Sequence, residues 1–535
     1  MRRFLVLLSL LLVLVPVVRA EGQPDDSGFR ALSGSAARDF AIPADMKLVR
    51  SLALANGVTY QRFQQVLQNA DVLGGQLTVI RDAPEDASTV IGSHYPNISV
   101  RNAVGISRST AARAAERDVG PADSRTVKLR IDPRRGTYFY EVESRELGSR
   151  WIHRVDAQTG RILRRIDALA DAHGTGVKRD TKDMNGPNNS NTADDLTKYH
   201  RRAGHGKRGP HWDLFSKDNR QRTYNARNGT SAFYYVTDAD NHWTKVTSTR
   251  RSPGHPALVD GQYYANKTDD FFLKRLGFNW KDCYPRMESV VHFGIDVANA
   301  FWTGDYVVYG DGDGFTSREF SGALDVASHE LTHGLTGCTS NLIYSGESGA
   351  LNESFSDMMS ANAEFFAAEP LKSKCVLASG QGTCADWTIA EDVVLDSDSV
   401  PGIRNLADPW EDDDPDHYSE RYTGTADNGG IHTNTGISNH AYYLLVNGGQ
   451  NAGCDATGSN GHTHTADCSV TVTGIGRAKA EDIFFLAFIA LPEDATMCEA
   501  RQATAAQAET LFGVGSTAAL ATTAAWDAVG VPTAC

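Results

Sequence analysis

Positive charge is in short supply: 52 Lys and Arg stand against 66 Asp and Glu, a net −14 at pH 7. Nothing in such a chain neutralises phosphate in bulk, so no nucleic-acid partner is expected. Long apolar runs are scarce as well. Phe4 to Val18 is almost wholly apolar, but at about 15 residues it is short for a membrane span, and no later stretch serves as one. None of the eight cysteines forms a C-x-x-C metal knuckle. There is no convincing internal repeat. The lack of a G-x-S-x-G elbow around a serine leaves a Ser/His/Asp hydrolase with little support.

What is present at the N-terminus reads as a signal peptide. Arg2 and Arg3 precede the apolar run, and small-residue spacing at Val18 and Ala20 places cleavage near Ala20. The expectation is a secreted, extracellular protein with no membrane association after cleavage. An even number of cysteines in an exported chain points to disulfides. Proximity favours Cys375–Cys384 and Cys454–Cys468, Cys498–Cys535 would staple the C-terminal end, and Cys283 and Cys338 are left to pair. The acidic balance suits a protein that holds calcium and stays soluble outside the cell. At 535 residues, about three domains are expected.

Residues 21 to about 170 read as a separate unit. Gly57 to Ala83 alternates apolar and polar residues in two runs around a Gly-Gly, which predicts paired strands. TYFYEVES and SRWIHRVDA continue the strand pattern, followed by a turn at Thr159-Gly160 and a strand from Arg161 to Ile166. No cluster of catalytic residue types lies in this block. A boundary near Ala168 to Gly174 follows from the Gly-rich, polar composition beyond it. The basic stretch Tyr199 to His211 reads as a solvated loop. Helices are predicted at Gly261 to Leu276, 321 to 338, 349 to 366 and, after about 430, through SNHAYYLLVN, AEDIFFLAFIAL and the Ala-rich end. The pattern implies an α+β chain with a β-rich lobe followed by an α-rich lobe.

The decisive segment is Ser328-His329-Glu330-Leu331-Thr332-His333. Residues four apart share one helix face, so His329 and His333 present two imidazoles to one metal, with Glu330 beside the bound water. Two histidines on a helix surface would be the bland alternative if nothing else converged. Glu353, in a second helical stretch, completes a His-His-Glu set that leaves one coordination position open. Asp357, four residues on, and Asn352 stand where acceptors for the imidazole N–H groups belong.

At these residues the chain resembles a known family. HELTHGLTGCTSNLIYSGESGALNESFSD, with ANAFWTGDYVVYGDGDG upstream (298–314) and DPDHYSERYTGTADNGGIHTNTGISNHAYYLL downstream (414–445), resembles the thermolysin-like zinc metallopeptidases, the gluzincins. The cysteine-rich insertions are closer to the vibriolysin and pseudolysin branch. Residues 21 to 170 resemble that family's propeptide. The resemblance implies a signal peptide at 1–20, a fungalysin/thermolysin-propeptide-like piece at 21–110 and a PepSY-like piece at 111–170. It then implies a two-lobed peptidase, with a β-rich N-terminal lobe carrying the zinc helix at 171–340 and an α-helical C-terminal lobe at 341–535.

The roles it implies are specific. His329, His333 and Glu353 match the ligands of one catalytic zinc, and Glu330 matches the general base. His432 and Tyr344 match donors to the oxyanion, and Asp427 the carboxylate that orients His432. Arg404 matches the arginine that holds the substrate carbonyl, and Asn299 and Ala300 the backbone-binding edge. Val326, Ile403, Ile389 and Val393 match the walls of an apolar pocket for the residue after the cut bond. Phe320 replaces a leucine there, and Ser317 stands where the family often has phenylalanine. Asp325, Glu364, Asp386 and Glu391 match calcium ligands. Thr388 stands in place of a further glutamate, so one structural calcium is expected and not a pair. The acidic run Glu411 to Asp414 reads as a solvated loop, GDGDG (310–314) as a tight turn beside the cleft, and His462 and His464 as exposed and metal-free. The expected partners are protein and peptide substrates and the chain's own propeptide, an intramolecular inhibitor and folding aid, on a monomer. A catalytically dead binding protein on the same scaffold would lose Glu330, a zinc ligand or His432, and all are present. An aminopeptidase would need a G-x-M-E-N stretch, which the chain lacks.

Overall fold

Alternating patterning before residue 168 produces one sheet. The computed structural model describes residues 28–82, 87–146, 149–168, 170–172, 198–200, 211–216, 218–238, 256–368, 385–395, 402–451 and 469–535. The signal segment, Cys375, Cys384, Cys454, Cys468, His462, His464 and most of the basic stretch 199–211 lie outside the described residues. The N-terminal strands are β1 (Phe29–Ser33), β2 (Met46–Ala53), β3 (Thr59–Leu67), β4 (Ala70–Arg81), β5 (Ala87–Ser93), β6 (Ser124–Asp132), β7 (Thr137–Glu146), β8 (Ser149–Asp156) and β9 (Ile162–Asp167). They form a nine-stranded sheet in the order β1-β5-β4-β6-β7-β8-β9, with β2 and β3 branching from β4. The parallel pairing Asp71 to Arg130 and Val72 to Ile131 joins β1–β5 and β6–β9 into that one sheet. Helix α1 (Gly34–Arg38) lies at one end. Helix α2 (Arg108–Val119), capped by the Ser107 hydroxyl on the Thr110 amide at 3.2 Å, buries Ala111, Ala114 and Ala115 among the tyrosines and valines of β7 and β8.

One turn differs from expectation. The hairpin between β3 and β4 closes at Gln68-Asn69, both at positive φ (47° and 68°), and not at the Gly-Gly pair. Gly74 and Gly75 lie inside β4, where the register with β3 shifts. Gly74, at φ +67°, has no room for a Cβ because the Asp494 carboxylate of the C-terminal lobe packs against it.

After the nine-stranded sheet comes β10 (Ala170–Ala172), the edge strand of a six-stranded sheet whose next members are Ala300–Trp302, Val307–Tyr309 and Met287–Val291. Helix α3 (Pro256–Asp270) covers this sheet and runs on into a π-turn at Phe271–Arg275. The central helices follow: α4 (Leu324–Cys338) and α5 (Gly346–Ala368), the latter longer than expected by three residues at its start and two at its end. α4 is buried along its length save Gly337, and its polar members Ser328 and Thr332 are hydrogen-bonded within the core. The α-rich lobe adds α6 (Asp427–Gly430), α7 (Thr435–Asn447), α8 (Arg477–Phe488), α9 (Met497–Phe512) and α10 (Thr517–Ala528). Thr496 and Glu499 form a capping box at the start of α9. Disulfides join Cys283 to Cys338 at the end of α4 and Cys498 to Cys535, with Cα separations of 5.8 and 5.6 Å. No helix among the described residues is long and apolar enough to cross a membrane.

Helix α4 passes through Gly334 immediately after its second histidine because two indoles close on that point. A Cβ there would sit 2.6 Å from Trp280 Cη2 and 2.9 Å from Trp302 Cζ2. Overpacking of this kind costs about 1–3 kcal/mol. Gly334→Ala is therefore expected to lower the denaturant midpoint of the full chain. A midpoint equal to wild type would show that the indoles yield freely.

Candidate metal centre and cleft

The spacing of four in α4 brings His329 and His333 together: their Nε2 atoms lie 3.0 Å apart. α5 packs across α4 and delivers Glu353, with Oε2 3.3 Å from His329 Nε2 and Oε1 3.4 Å from His333 Nε2. All three side chains are buried. The orientation of each ring is set from behind. Asp357 Oδ1 lies 2.9 Å from His329 Nδ1, and Asn352 Oδ1 lies 2.9 Å from His333 Nδ1. With Nδ1 carrying the proton, both Nε2 lone pairs point at one place, where two of them 3.0 Å apart repel unless a cation lies between. A tetrahedral ion held at about 2.0–2.1 Å spaces its ligand atoms by roughly 3.3 Å. The donor set fits zinc in type, count and spacing.

The electrostatics agree. Burial disfavours a charged His329, yet hydrogen bonds to Asp357 and Glu353 outweigh it and raise the imidazole to about 10. Burial keeps His333 down at about 4. Burial pushes the Glu353 carboxyl up, but the charges of His432 and His333 hold it well below the ordinary range. The result is a pocket that stabilises positive charge at one point, the condition a divalent ion satisfies.

Glu330, next to His329 on α4, is fully buried. Tyr344, between α4 and α5, donates its hydroxyl to Glu353 Oε1 and lies 3.3 Å from His432 Nε2. Asp427 grips His432 twice, at 2.8 Å from Nδ1 and 2.8 Å from the backbone N–H. Burial works against the imidazolium, but the Glu353 charge and the Asp427 hydrogen bond raise His432 to about 9. Arg404 is tied to Asp357 at 2.7 and 2.6 Å, with Glu353 Oε2 3.8 Å away, and Asn439 adds a bond of 2.8 Å to Asp357. Asn299 and Ala300 lead into the strand that pairs with β10, in an antiparallel register of Ala170 with Trp302 and Ala172 with Ala300. The Asn428 side chain donates to the Asp167 carbonyl at 2.6 Å, so the end of the N-terminal unit lies along this edge. Val326, Ile389, Val393 and Phe320 are buried and Ile403 is half-buried. Ser317 is buried too, its hydroxyl and amide both bonded to Asp313 in the tight turn at 313–317.

A second acidic group lies beyond the first turn of α4. Glu364, Glu391 and Asp392 converge with carboxylate oxygens within 4.8 Å of one another. Asp392 was not among the residues expected from sequence. The Asp325 carboxylate accepts amides of Val326 and Ala390, and Asp386 accepts the Thr388 amide at 2.7 Å. Both Glu364 oxygens are buried without a hydrogen-bond donor. Burial, then the charges of Glu391 and Asp325, lift Glu364 well above its ordinary value. The run Glu411 to Asp414 is solvated only in part: Glu411 and Asp413 are exposed, as expected, while Asp412 and Asp414 are half-buried. Pro409–Asp412 is a 3₁₀ turn, and burial lifts Asp412 to about 6 and Asp414 to about 8.

Comparison with known proteins decides the family. Residues 172–337 match the model described as thermolysin metallopeptidase, catalytic domain, and residues 340–531 its alpha-helical domain. Residues 44–93 match the fungalysin/thermolysin propeptide motif. Bacillolysin of Brevibacillus brevis is 33% identical over 498 residues, covering 88% of this chain and 82% of that protein. Thermolysin of Bacillus sp. (strain EA1) is 32% identical over 516 residues, covering 89% and 84%. This chain belongs to the thermolysin family of metallopeptidases. The precursor of protealysin, a metalloproteinase from Serratia proteamaculans, is a similar solved structure at 29% identity, with a TM-score of 0.44 over 58% of this chain and 87% of that one. As a thermolysin-family metalloendopeptidase the chain is zinc-dependent, and its propeptide is its own intramolecular partner.

Asp357 serves two masters here, the His329 N–H and the Arg404 guanidinium. Asp357→Asn would keep an acceptor for the imidazole but remove the carboxylate charge that Arg404 holds at 2.6–2.7 Å, at a cost of up to about 3–5 kcal/mol. Zinc affinity is expected to fall by about 10–100-fold, read by competition with a chromophoric chelator. Unchanged affinity and stability together would show that Asp357 orients nothing.

Proposed function

We propose that this thermolysin-family member is a secreted neutral endopeptidase that cuts before a bulky apolar residue, and that Glu330 is its general base. The observation that carries the reading is the convergence of His329 Nε2, His333 Nε2 and Glu353 at mutual distances of 3.0–3.4 Å, with Glu330 adjoining His329 on the same helix. Zinc, when held by these three residues, lowers the pKa of a water and polarises the scissile carbonyl. Glu330 takes the proton of the attacking water and passes it to the leaving amine. His432, kept protonated to about pH 9 by Glu353 and Asp427, and the Tyr344 hydroxyl donate to the oxygen on which negative charge develops. Asp427 acts through His432 and Asp357 through His329. Arg404, already braced by Asp357, presents its charge toward the substrate carbonyl, and the edge at Asn299 and Ala300 binds the substrate backbone. Val326, Ile403, Ile389 and Val393 wall the pocket. The chain is made with a signal peptide at 1–20 and a propeptide at 21–170 that inhibits the enzyme by lying along the cleft edge, and the peptidase spans 171–535.

One structural calcium is held by Glu364, Glu391 and Asp392, with Asp325 and Asp386 closing the acidic surround. The two Glu364 oxygens, without donors in a dry interior, are what a hard divalent cation satisfies.

Glu330→Gln is expected to keep one zinc per chain while turnover of casein falls by about 10²–10⁴-fold, and the precursor stays uncut. Full activity of that variant would overturn the general-base role.

The acidic group makes a pH prediction. Burial, opposed by the Ala390 amide and aided by Asp392, lifts Asp325 to about 7, and burial with the Asp325 charge lifts Glu391 to about 10. In calcium-free protein these raised carboxyls contribute stability that is fully present below their unfolded values and is lost as pH rises through their folded ones. The thermal midpoint in a calcium-selective chelator is expected to drop between about pH 5 and pH 8, and millimolar calcium to abolish the drop. Midpoints at pH 8 that ignore calcium would remove the site.

A further inference from the structure

Glu493 follows α8 in the loop Leu491–Asp494 and is not a neighbour of the zinc ligands in sequence, yet it borders the same cavity as His333, Tyr344 and Asn352. In the precursor its carboxylate is 2% exposed. Every bond to that carboxylate comes from the propeptide. Arg130 straddles it, with Nη1 3.1 Å from Oε2 and Nη2 on Oε1, and the Gly74 N–H reaches Oε1 at 3.1 Å. Gln76 Oε1 accepts the Glu493 backbone N–H at 2.9 Å. Nearby, Arg62 donates to the carbonyls of Leu491 at 3.0 Å and Ser340 at 2.8 Å. The C-terminal lobe thus seats two guanidiniums, one on a carboxylate and one on a pair of carbonyls.

Removal of the propeptide takes both arginines and both polar strand partners away at once. A carboxylate left at the cleft margin in that geometry keeps the two oxygens that fit a planar, forked donor, a match that arginine makes and lysine does not. We propose that in the mature enzyme this notch is an exosite for arginine. Glu493 takes a guanidinium of the protein substrate in the position that Arg130 holds in the precursor, and the Leu491 and Ser340 carbonyls receive a second. The substrate class so selected is basic, arginine-bearing protein segments, and the propeptide is the first of them to occupy the site. The exosite rests on the endopeptidase reading above. It differs from the apolar pocket in acting on a residue remote from the cut bond. The Ile343 amide also binds the Glu493 carbonyl at 2.7 Å, which anchors the exosite to the segment that carries Tyr344.

The test uses mature enzyme and three peptides that share one cleavable core: a neutral one, one extended with Arg-Gly-Arg before the core, and one extended after it. One of the two basic peptides is expected to be cut with kcat/KM about tenfold above the neutral peptide. Glu493→Gln should erase that advantage and leave the neutral peptide unchanged. A ratio that Glu493→Gln does not move, or an equal loss on all three peptides, overturns the proposal. Should the variant fail to mature, a tetrapeptide of D-arginine, which is not hydrolysed, is titrated into wild-type mature protein. It is expected to bind about tenfold more tightly than D-lysine or D-glutamine tetrapeptides, and equal affinities overturn the exosite. Failure of the peptidase reading looks different: the neutral peptide itself is not cut, while the D-arginine titration still decides the exosite.

Discussion

Two imidazole nitrogens that face each other across 3.0 Å in a dry interior are the constraint to which the rest of the peptidase answers. Two neutral rings with their N–H groups turned outward repel at that distance, and a cation shared between them, a proton or a metal ion, turns the contact favourable while each ring is held from behind. Asp357 and Asn352 hold them, and both come from α5. α5 in turn is fixed by Arg404 and Asn439 on Asp357 and by the close crossing of α4. The same helix supplies Glu353 to the front of the site and Glu364 to the acidic group at its far end. One element therefore serves both places where a cation is favoured.

The propeptide meets this core at its margin. Its sheet ends at Asp167 against Asn428, and the chain then continues as the edge strand beside Ala300. Farther out, Ser33 reaches Glu509 and Thr89 reaches Thr510 on α9, each at 2.8 Å. The contacts with α9 and with the loop Leu491–Asp494 belong to the helical lobe, while Arg145 of β7 reaches Asp305 of the β-rich lobe at 3.2 Å. A unit that touches both lobes restrains the cleft between them.

The metal centre was legible in the sequence because helices preserve spacing. His329 and His333 at i, i+4, and Glu353 and Asp357 at i, i+4, each fix a face without knowledge of the fold, and the two disulfides among the described residues followed by elimination. Loops preserve nothing of the kind. Asp392 joins Glu364 only because the turn at Ala390, a residue with φ of 66°, folds the segment back. The Gly-Gly pair in β4 carried the composition of a turn but marks a close approach to Asp494, while Gln68 and Asn69 supply the two left-handed residues of the real turn. Asp412 and Asp414 have the composition of a solvated run but are half-buried, between exposed Glu411 and Asp413, and their carboxyls are lifted by that burial, which no local pattern reports. The arginines of the propeptide were invisible as ligands, since their partners are backbone carbonyls and a glutamate some 360 residues away.

The polar load of α5 has a kinetic consequence. Asn352, Glu353, Ser354, Ser356, Asp357, Ser360, Asn362 and Glu364 are all buried along one helix. In any half-assembled state, with α4 in place but the lobe around Arg404 and Asn439 not yet closed, several of these groups would be dry and unpaired. Intermediates of that sort are high in energy, so the passage between open and closed chains is steep in both directions. An enzyme that lives among its own active copies is then guarded by the height of a barrier, and by slow unfolding more than by the depth of its well.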